Sequence, residues 1–293
     1  MTRMEKKNLL SGLLFVSPWL IGIAVFLLYP ILASLYYSFC EYSVLTRPQW
    51  IGLGNYVDLF SDEVFWISLW NTFYFAIFSL PLTIVFALAV AFLLNTSIKG
   101  MGVYRAIIFV PTLVPKVAMA VLFMWIFNSQ FGILNYLLGL FGISGPDWLG
   151  SSFWSKPSLI IMSLWGIGNT VVLLLAALQE VPASLYEAAE IDGANWFQKI
   201  RYVSIPMVSP VIFFVLITGV IGVLQIFTGP YILTGGGPAR STLFYTMYLF
   251  DNGFRYLRMG YACSMAWILF LIILVLTWLT NKISSKHVHY MGK

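Results

Sequence analysis

A chain of 293 residues that is 60% hydrophobic and 9% charged, with a mean hydropathy of +0.88, is too apolar for a soluble domain, which carries about 25% charged residues. The net charge of +5 follows membrane topology in its placement and implies no nucleic-acid partner. Cys40 and Cys263 lie beside or within apolar segments, at no metal or redox spacing, and read as small buried residues.

Six apolar stretches are long enough to cross a hydrocarbon core, which takes about 20 helical residues. They run at roughly Leu13–Phe39, Leu69–Leu94, Ala106–Phe127, Leu159–Leu178, Met207–Leu233 and Gly260–Thr280. They are too long and too evenly apolar for barrel strands, and helices satisfy their own backbone in lipid. The expected fold is an all-α integral membrane protein of six transmembrane helices, forming a single domain over residues 1–293. The basic start Thr2–Lys7 resembles a signal peptide, but the apolar run that follows is long and holds Pro18 and Pro30, so a retained first helix is expected.

Arg3, Lys6, Lys7, Lys99, Arg105, Lys199, Arg201, Lys282, Lys286 and Lys293 lie on one side of these spans, against Arg47, Lys156, Arg240, Arg255 and Arg258 on the other. That asymmetry predicts cytoplasmic termini and a cytoplasmic loop after the fourth span. Glu41, Asp58, Asp62, Glu63, Asp147 and Asp251 fall outside, and Trp50, Trp66, Trp70, Trp148 and Trp154 read as an interfacial belt near the outer span ends.

No Asp or Glu lies inside a span, which argues against ion coupling. Phosphate-loop, H-E-x-x-H and G-x-S-x-G patterns are absent, and His287 and His289 read as a solvated tail, so no catalytic or metal residue is assigned. One charge remains within an apolar stretch: Lys116, after Pro111-Thr112-Leu113-Val114-Pro115. The prolines should kink or interrupt the third helix and free backbone carbonyls. Lys116 then either lines a pathway or snorkels and pairs with those carbonyls.

Between the fourth and fifth spans lies a polar island. Ser184 stands three residues before Glu187, the spacing of a capping box, which predicts a helix from about Leu185 to Asp192. Gly193 is the preferred stop for such a helix. Asn195, with Gln198 three residues on, starts a second short helix through Ile200, and Ile205-Pro206 leads into the fifth span. A helix of about eight residues is marginal alone in water. Ala188 and Ala189 give it a low surface, and Leu185, Ile191, Trp196 and Phe197 supply apolar anchors. The elbow either docks on a partner or lies on the membrane surface.

Glu187-Ala188-Ala189, Gly193, Val203, Ile205 and Pro206 resemble the pattern E-A-A-x3-G-x9-I-x-L-P of permease subunits in binding-protein-dependent ATP-binding-cassette importers, with Val for Ile and Ile for Leu. Glu187-Ala188-Ala189-Glu190-Ile191-Asp192-Gly193-Ala194 is similar to the carbohydrate branch, and Leu14–Trp19 with Leu28-Tyr29-Pro30 resembles the first helix of the maltose-type subunit that comes first of the pair. Gly52-Leu53-Gly54-Asn55-Tyr56 resembles the family's first outer loop, Trp165-Gly166-Ile167-Gly168-Asn169 its fourth helix, Phe227 through Gly235-Gly236-Gly237-Pro238 its fifth helix and outer turn, and Gly260-Tyr261-Ala262-Cys263-Ser264 the start of its last helix.

The resemblance implies a type I importer architecture with a coupling elbow at about residues 182–206. Glu187, Ala188, Ala189, Asp192, Gly193, Trp196, Phe197 and Pro206 would couple to an ATPase. It implies a second homologous permease, two ATPase subunits that bind ATP and Mg, and an extracellular or periplasmic sugar-binding protein. It also implies a bacterial or archaeal cytoplasmic membrane and no cofactor in this chain. Asn169, Gln225, Phe227 and Tyr231, with Lys116, become candidates to line a sugar pathway, the alternative for the polar ones being bonds between helices. The turn Gly235–Pro238 would shape the outer mouth. Rival readings are a permease for glycerol phosphate or another small polar solute, suggested by Arg240, Arg255 and Arg258, an ion-coupled carrier, and an assembly scaffold.

Overall fold

Apolar runs of this length must bond their own backbone groups in lipid, and the chain does so by helix. The computed structural model describes residues 2–284; Lys286, His287, His289 and Lys293 lie outside them. Among the described residues four helical stretches are long and apolar enough to cross a membrane: Ser11–Ser38, Glu63–Leu94, Trp196–Leu233 and Met259–Ile283. Two further pairs qualify only when counted across a bend: Met101–Leu113 with Lys116–Ile126, bent by 98°, and Ser155–Trp165 with Gly168–Gln179, bent by 50°. Each apolar stretch read from the sequence overlaps one of these. The chain gathers into two compact units, one formed by the chain up to Glu63 with Leu249–Phe270, the other by Val64–Tyr248 with the chain from Leu271 on.

In the first unit, α1 (Arg3–Ile23) passes through a π turn, Ala24–Leu28, into α2 (Tyr29–Ser38). Pro30 explains the π turn. Its ring crowds the carbonyl four residues back and it has no N–H to offer. The helix widens just before it, and the Tyr29 N–H bonds the Ala24 carbonyl instead. A short antiparallel ladder follows, β1 (Cys40–Glu41) with β2 (Gln49–Trp50), and then α3 (Gly54–Ser61).

Two of the quoted motifs meet here. Asn55 Nδ2 donates to the carbonyls of Ser38 at 3.0 Å and Cys40 at 2.8 Å, and the Tyr56 hydroxyl donates to Ser38 Oγ at 2.8 Å. The Gly260 N–H donates to the Tyr42 carbonyl at 3.0 Å. A Cβ at Gly260 would run into the Cys40 carbonyl, so only glycine admits this approach. Tyr261 donates to Asp62 Oδ2 at 2.7 Å, and Trp267 Nε1 to Ser34 Oγ at 3.2 Å. Cys40 and Cys263 are buried free thiols, as expected. Two of the arginines that suggested a phosphate substrate are engaged locally: Arg255 pairs with Asp251 at 3.1 Å, and Arg258 lies 4.6 Å from the Tyr261 ring centre.

The second unit is built on α4 (Glu63–Leu94), α5 (Met101–Phe109), α6 (Lys116–Ile126), α7 (Ile133–Leu140), α8 (Ser155–Trp165) and α9 (Gly168–Gln179). The short helices α10 (Ala183–Ile191) and α11 (Trp196–Lys199) come next, then α12 (Ile205–Leu224) and α13 (Thr228–Leu233). After α14 (Tyr245–Phe250) the chain returns through α15 (Met259–Ser284). One core gathers Phe75, Phe123, Phe127, Leu159, Phe244 and Met247; the other gathers Ala87, Ala91, Leu174, Leu178 and Val208. Asn71 donates to the carbonyls of Arg240 at 2.8 Å and Leu243 at 3.0 Å, which pins the turn after α13 to α4. Trp148 departs from the belt reading: it is buried in the first core and donates to Asn135 Oδ1 at 2.7 Å.

Asn55→Ala leaves two buried carbonyls without their donor. It is expected to cost about 1–3 kcal/mol, read as a lower midpoint in thermal unfolding of the detergent-solubilised protein.

Candidate functional site

Three helices of the second unit break at one place, each for its own reason. After α5 a 3-10 turn, Val110–Leu113, carries the first break. Val114 precedes Pro115 and is extended at ψ 127°, as a residue before proline must be, and α6 starts afresh at Lys116. The prolines therefore interrupt the third apolar stretch, as expected. The second break, Gly166–Ile167, separates α8 from α9. At Gly168 a Cβ would lie 2.7 Å from both the Ile108 carbonyl oxygen and Thr112 Cγ2, so glycine lets α9 press onto the first break. The third break, Gln225–Phe227, separates α12 from α13. The second and third were read from the sequence as continuous spans.

The breaks enclose a cavity of about 400 Å³. Pro111, Thr112, Val114, Lys116 and Met119 border it from the first break, Ser163, Gly166 and Asn169 from the second, and Gln225 to Gly229 from the third, with Phe75 and Met162 completing the wall. Four of the five pathway candidates, Lys116, Asn169, Gln225 and Phe227, thus come together. Tyr231 is not among the bordering residues; it stacks on Phe227, ring centres 4.9 Å apart and planes 20° apart. Asn169 and Gln225 are exposed and make no side-chain hydrogen bond within the described residues. Lys116 is exposed as well, at the first position of α6, so it is not the buried charge expected from its place in an apolar stretch. Ser163 and Thr228 were missed; the signal was a small hydroxyl next to a helix break.

The elbow is built differently at its two ends. α10 starts at Ala183 behind Pro182, with no side-chain cap, so Ser184 sits inside the first turn and the expected capping box does not form. Pro182, at φ −58°, turns the chain into the helix before Ser184 is reached. The far end follows the expectation. Gly193 is left-handed at φ +75°, its N–H bonds the Glu190 carbonyl at 3.0 Å, and the Ala194 N–H bonds the Ala189 carbonyl at 2.9 Å. Those two bonds are a Schellman stop. The second helix has its reciprocal cap: the Gln198 N–H donates to Asn195 Oδ1 at 2.9 Å and the Asn195 N–H to Gln198 Oε1 at 2.8 Å.

α11 does not end at Ile200 as the sequence suggested; a π turn, Ile200–Ser204, carries it into α12. The cause repeats that at Pro30, since Pro206 opens α12 and the Ile205 N–H bonds the Ile200 carbonyl. Lys199 Nζ meets Glu190 Oε1 at 2.6 Å, and the Tyr186 and Ser204 hydroxyls lie 2.9 Å apart, so the two short helices are tied together. Glu187, Ala188, Asp192 and Gly193 are exposed, while Ala189 and Pro206 are half-buried. Ile191, Trp196 and Phe197 are 88%, 69% and 64% exposed, a cluster of large apolar side chains held outward on a fixed frame. Among the described residues no three His, Cys, Asp or Glu are grouped to hold a metal ion.

Comparison with known proteins agrees with this architecture. Residues 72–287 match the family described as binding-protein-dependent transport system inner membrane component. The probable ABC transporter permease protein YesP of Bacillus subtilis (strain 168) is 38% identical over 100% of this chain and 96% of its own. The lactose transport system permease protein LacF of Rhizobium radiobacter is 38% identical over 92% of each. The crystal structure of a bacterial ABC transporter involved in the import of the acidic polysaccharide alginate contains a chain of the same fold, with a TM-score of 0.85 and 23% identity over 100% of both chains. This multi-pass helical chain belongs to the inner membrane components of binding-protein-dependent transport systems.

Proposed function

We propose that the chain is the permease subunit of an ATP-binding-cassette importer that carries a sugar or oligosaccharide across the cytoplasmic membrane. The observation that carries this is the meeting of three broken helices at one cavity, where two unpartnered amides stand beside an aromatic face. Amides bond sugar hydroxyls, aromatic faces take the apolar side of a ring, and broken helices at a membrane cavity supply further backbone groups. The lactose-system relative supports the same substrate class. Asn169, Gln225, Phe227 and Lys116 would touch the substrate directly, and Tyr231 would back Phe227.

In this reading the chain works as a single permease domain with six crossings, at about 13–39, 69–94, 106–127, 159–178, 207–233 and 260–280, and with both termini cytoplasmic. A second permease completes the pathway, an external binding protein delivers the sugar, and two separate ATPase subunits bind ATP and Mg and drive alternating access. This chain does no catalysis and holds no cofactor. The elbow, at about residues 182–206, is the coupling helix that enters an ATPase cleft. Its support is physical. Short helices are marginal alone, yet the Schellman stop, the reciprocal cap and the Lys199–Glu190 pair hold these in place while Ile191, Trp196 and Phe197 face outward. Exposed aromatic clusters on a rigid frame are what interface centres are made of.

Asn169→Ala with Gln225→Ala is expected to lower uptake by the assembled importer roughly thirtyfold, at about 1 kcal/mol per lost hydrogen bond. Unchanged uptake at normal membrane levels would remove both from the pathway. Gly193→Pro cannot hold a φ of +75°, and Glu187→Lys reverses a charge on the exposed face. Each should abolish co-purification of the ATPase subunits, and retention of the complex with full transport would return the elbow to a membrane-surface role.

A further inference from the structure

Arg105 is a charge that the chain itself serves poorly. It is half-buried on α5, and its Nη2 donates to the Leu94 carbonyl at 3.1 Å, where α4 ends. A guanidinium carries five N–H donors, and this is the only hydrogen bond that Arg105 makes within the described residues. Its Nε is buried without a partner, and no carboxylate of the described residues pairs with it.

Beside it runs a groove of about 210 Å³ between α4, α5 and α9, which shares no residue with the cavity at the three breaks. Its two ends differ. α4 ends at Leu94 and α9 at Gln179, on the side that the charge asymmetry places in the cytoplasm. There the groove carries the Arg105 side chain and the exposed amide of Gln179. Away from that end its walls are Ile108, Val171, Val172 and Leu175. From Gln179 back to Val171 is about 12 Å along α9, at about 1.5 Å per residue. Glu180 does not border the groove, so Arg105 is the only charged residue on it. The groove is polar toward the water and apolar toward the bilayer interior, which is the gradient of a phospholipid.

We propose that this groove binds an anionic phospholipid of the surrounding leaflet. Its phosphodiester bonds the Arg105 guanidinium, whose paired donors match phosphate oxygens. Gln179 serves the rest of the headgroup, and an acyl chain lies along Ile108, Val172 and Leu175. Basic pockets between membrane helices on the cytoplasmic side take such headgroups. With no carboxylate on the groove, the ammonium of a choline or ethanolamine lipid finds no partner, which selects the anionic kind. A free phosphate would use Arg105 and leave the apolar walls bare. A helix of another subunit would cover the walls and bring no phosphate.

The test titrates dioctanoyl phosphatidylglycerol, dioctanoyl phosphatidylcholine and inorganic phosphate onto the complete importer, purified in detergent and stripped of lipid, with occupancy read by native mass spectrometry. The wild type is expected to bind the glycerol lipid at least about tenfold more tightly than the choline lipid, with phosphate displacing neither. Arg105→Gln should weaken the glycerol lipid at least about tenfold and the choline lipid by less than about twofold, and Arg105→Lys should recover part of the loss. Val172, 46% exposed on the groove wall, offers a second variant: Val172→Trp fills the groove with the guanidinium intact and should weaken the glycerol lipid as well. That variant and the wild-type comparison decide the question even if Arg105→Gln fails to fold. Equal binding of the two lipids, displacement by phosphate, or glycerol-lipid binding unchanged in both Arg105→Gln and Val172→Trp would overturn the proposal. So would Val172→Cys that resists a membrane-permeant thiol reagent in the lipid-stripped importer, since another subunit would then cover the groove.

Discussion

A peptide group inside a bilayer has no water to bond, so a helix can break there only where protein or a cavity meets its freed groups. That constraint explains why the three breaks lie together. Each exposes backbone that must be served, and each is served locally. The Thr112 hydroxyl donates to the Phe109 carbonyl at the first break, and the Thr246 hydroxyl donates to the Ile226 carbonyl at the third. The second break is packed directly onto the first through Gly168. Breaks scattered along the bundle would each need a separate arrangement of this kind. Gathered, they share one, and the space left between them is a cavity where amides, hydroxyls and a lysine stand among apolar side chains.

The first unit meets a related problem with side chains. The chain leaves α2 into a two-rung ladder far too small to stand alone. Asn55 closes it by donating twice to carbonyls at the helix exit, and Gly260 brings the start of α15 against Cys40 and Tyr42. Segments more than 200 positions apart in the chain thus form one knot, and each contributes a residue for which size or donor count leaves no substitute.

Much of this was legible in the residues. Apolar length located the helices, because crossing a hydrocarbon core sets a minimum that few other structures reach. Pro111 and Pro115 announced the first break, since proline removes a donor wherever it stands. Gly193 and the Asn195–Gln198 pair announced the two ends of the elbow turn, since their bonds are local. What was not legible depends on contacts from elsewhere. The break at Gly166 reflects how closely α9 must approach Ile108 and Thr112. Ser184 and Glu187 carry the spacing of a cap, but Pro182 had already started the helix. The π turns before Pro30 and Pro206 answer to a crowded carbonyl, which no periodicity of apolar residues records. Of the candidate site, four residues proved to share the cavity, while the exposure of Lys116 emerged only once its neighbours were known.

The run from Trp196 to Leu224 is helical without interruption: the second elbow helix, a π turn and a long apolar helix joined end to end. At about 1.5 Å per residue it extends roughly 40 Å. One end carries the exposed aromatics of the elbow; the other stops at Gln225, on the cavity wall. No hinge loop lies between them to absorb displacement. The segment is therefore a lever arm, with the tie between Lys199 and Glu190 near its short end and a cavity-lining amide at its tip. A tilt of a few degrees at the elbow becomes a movement of ångströms at Gln225, transmitted by backbone geometry alone.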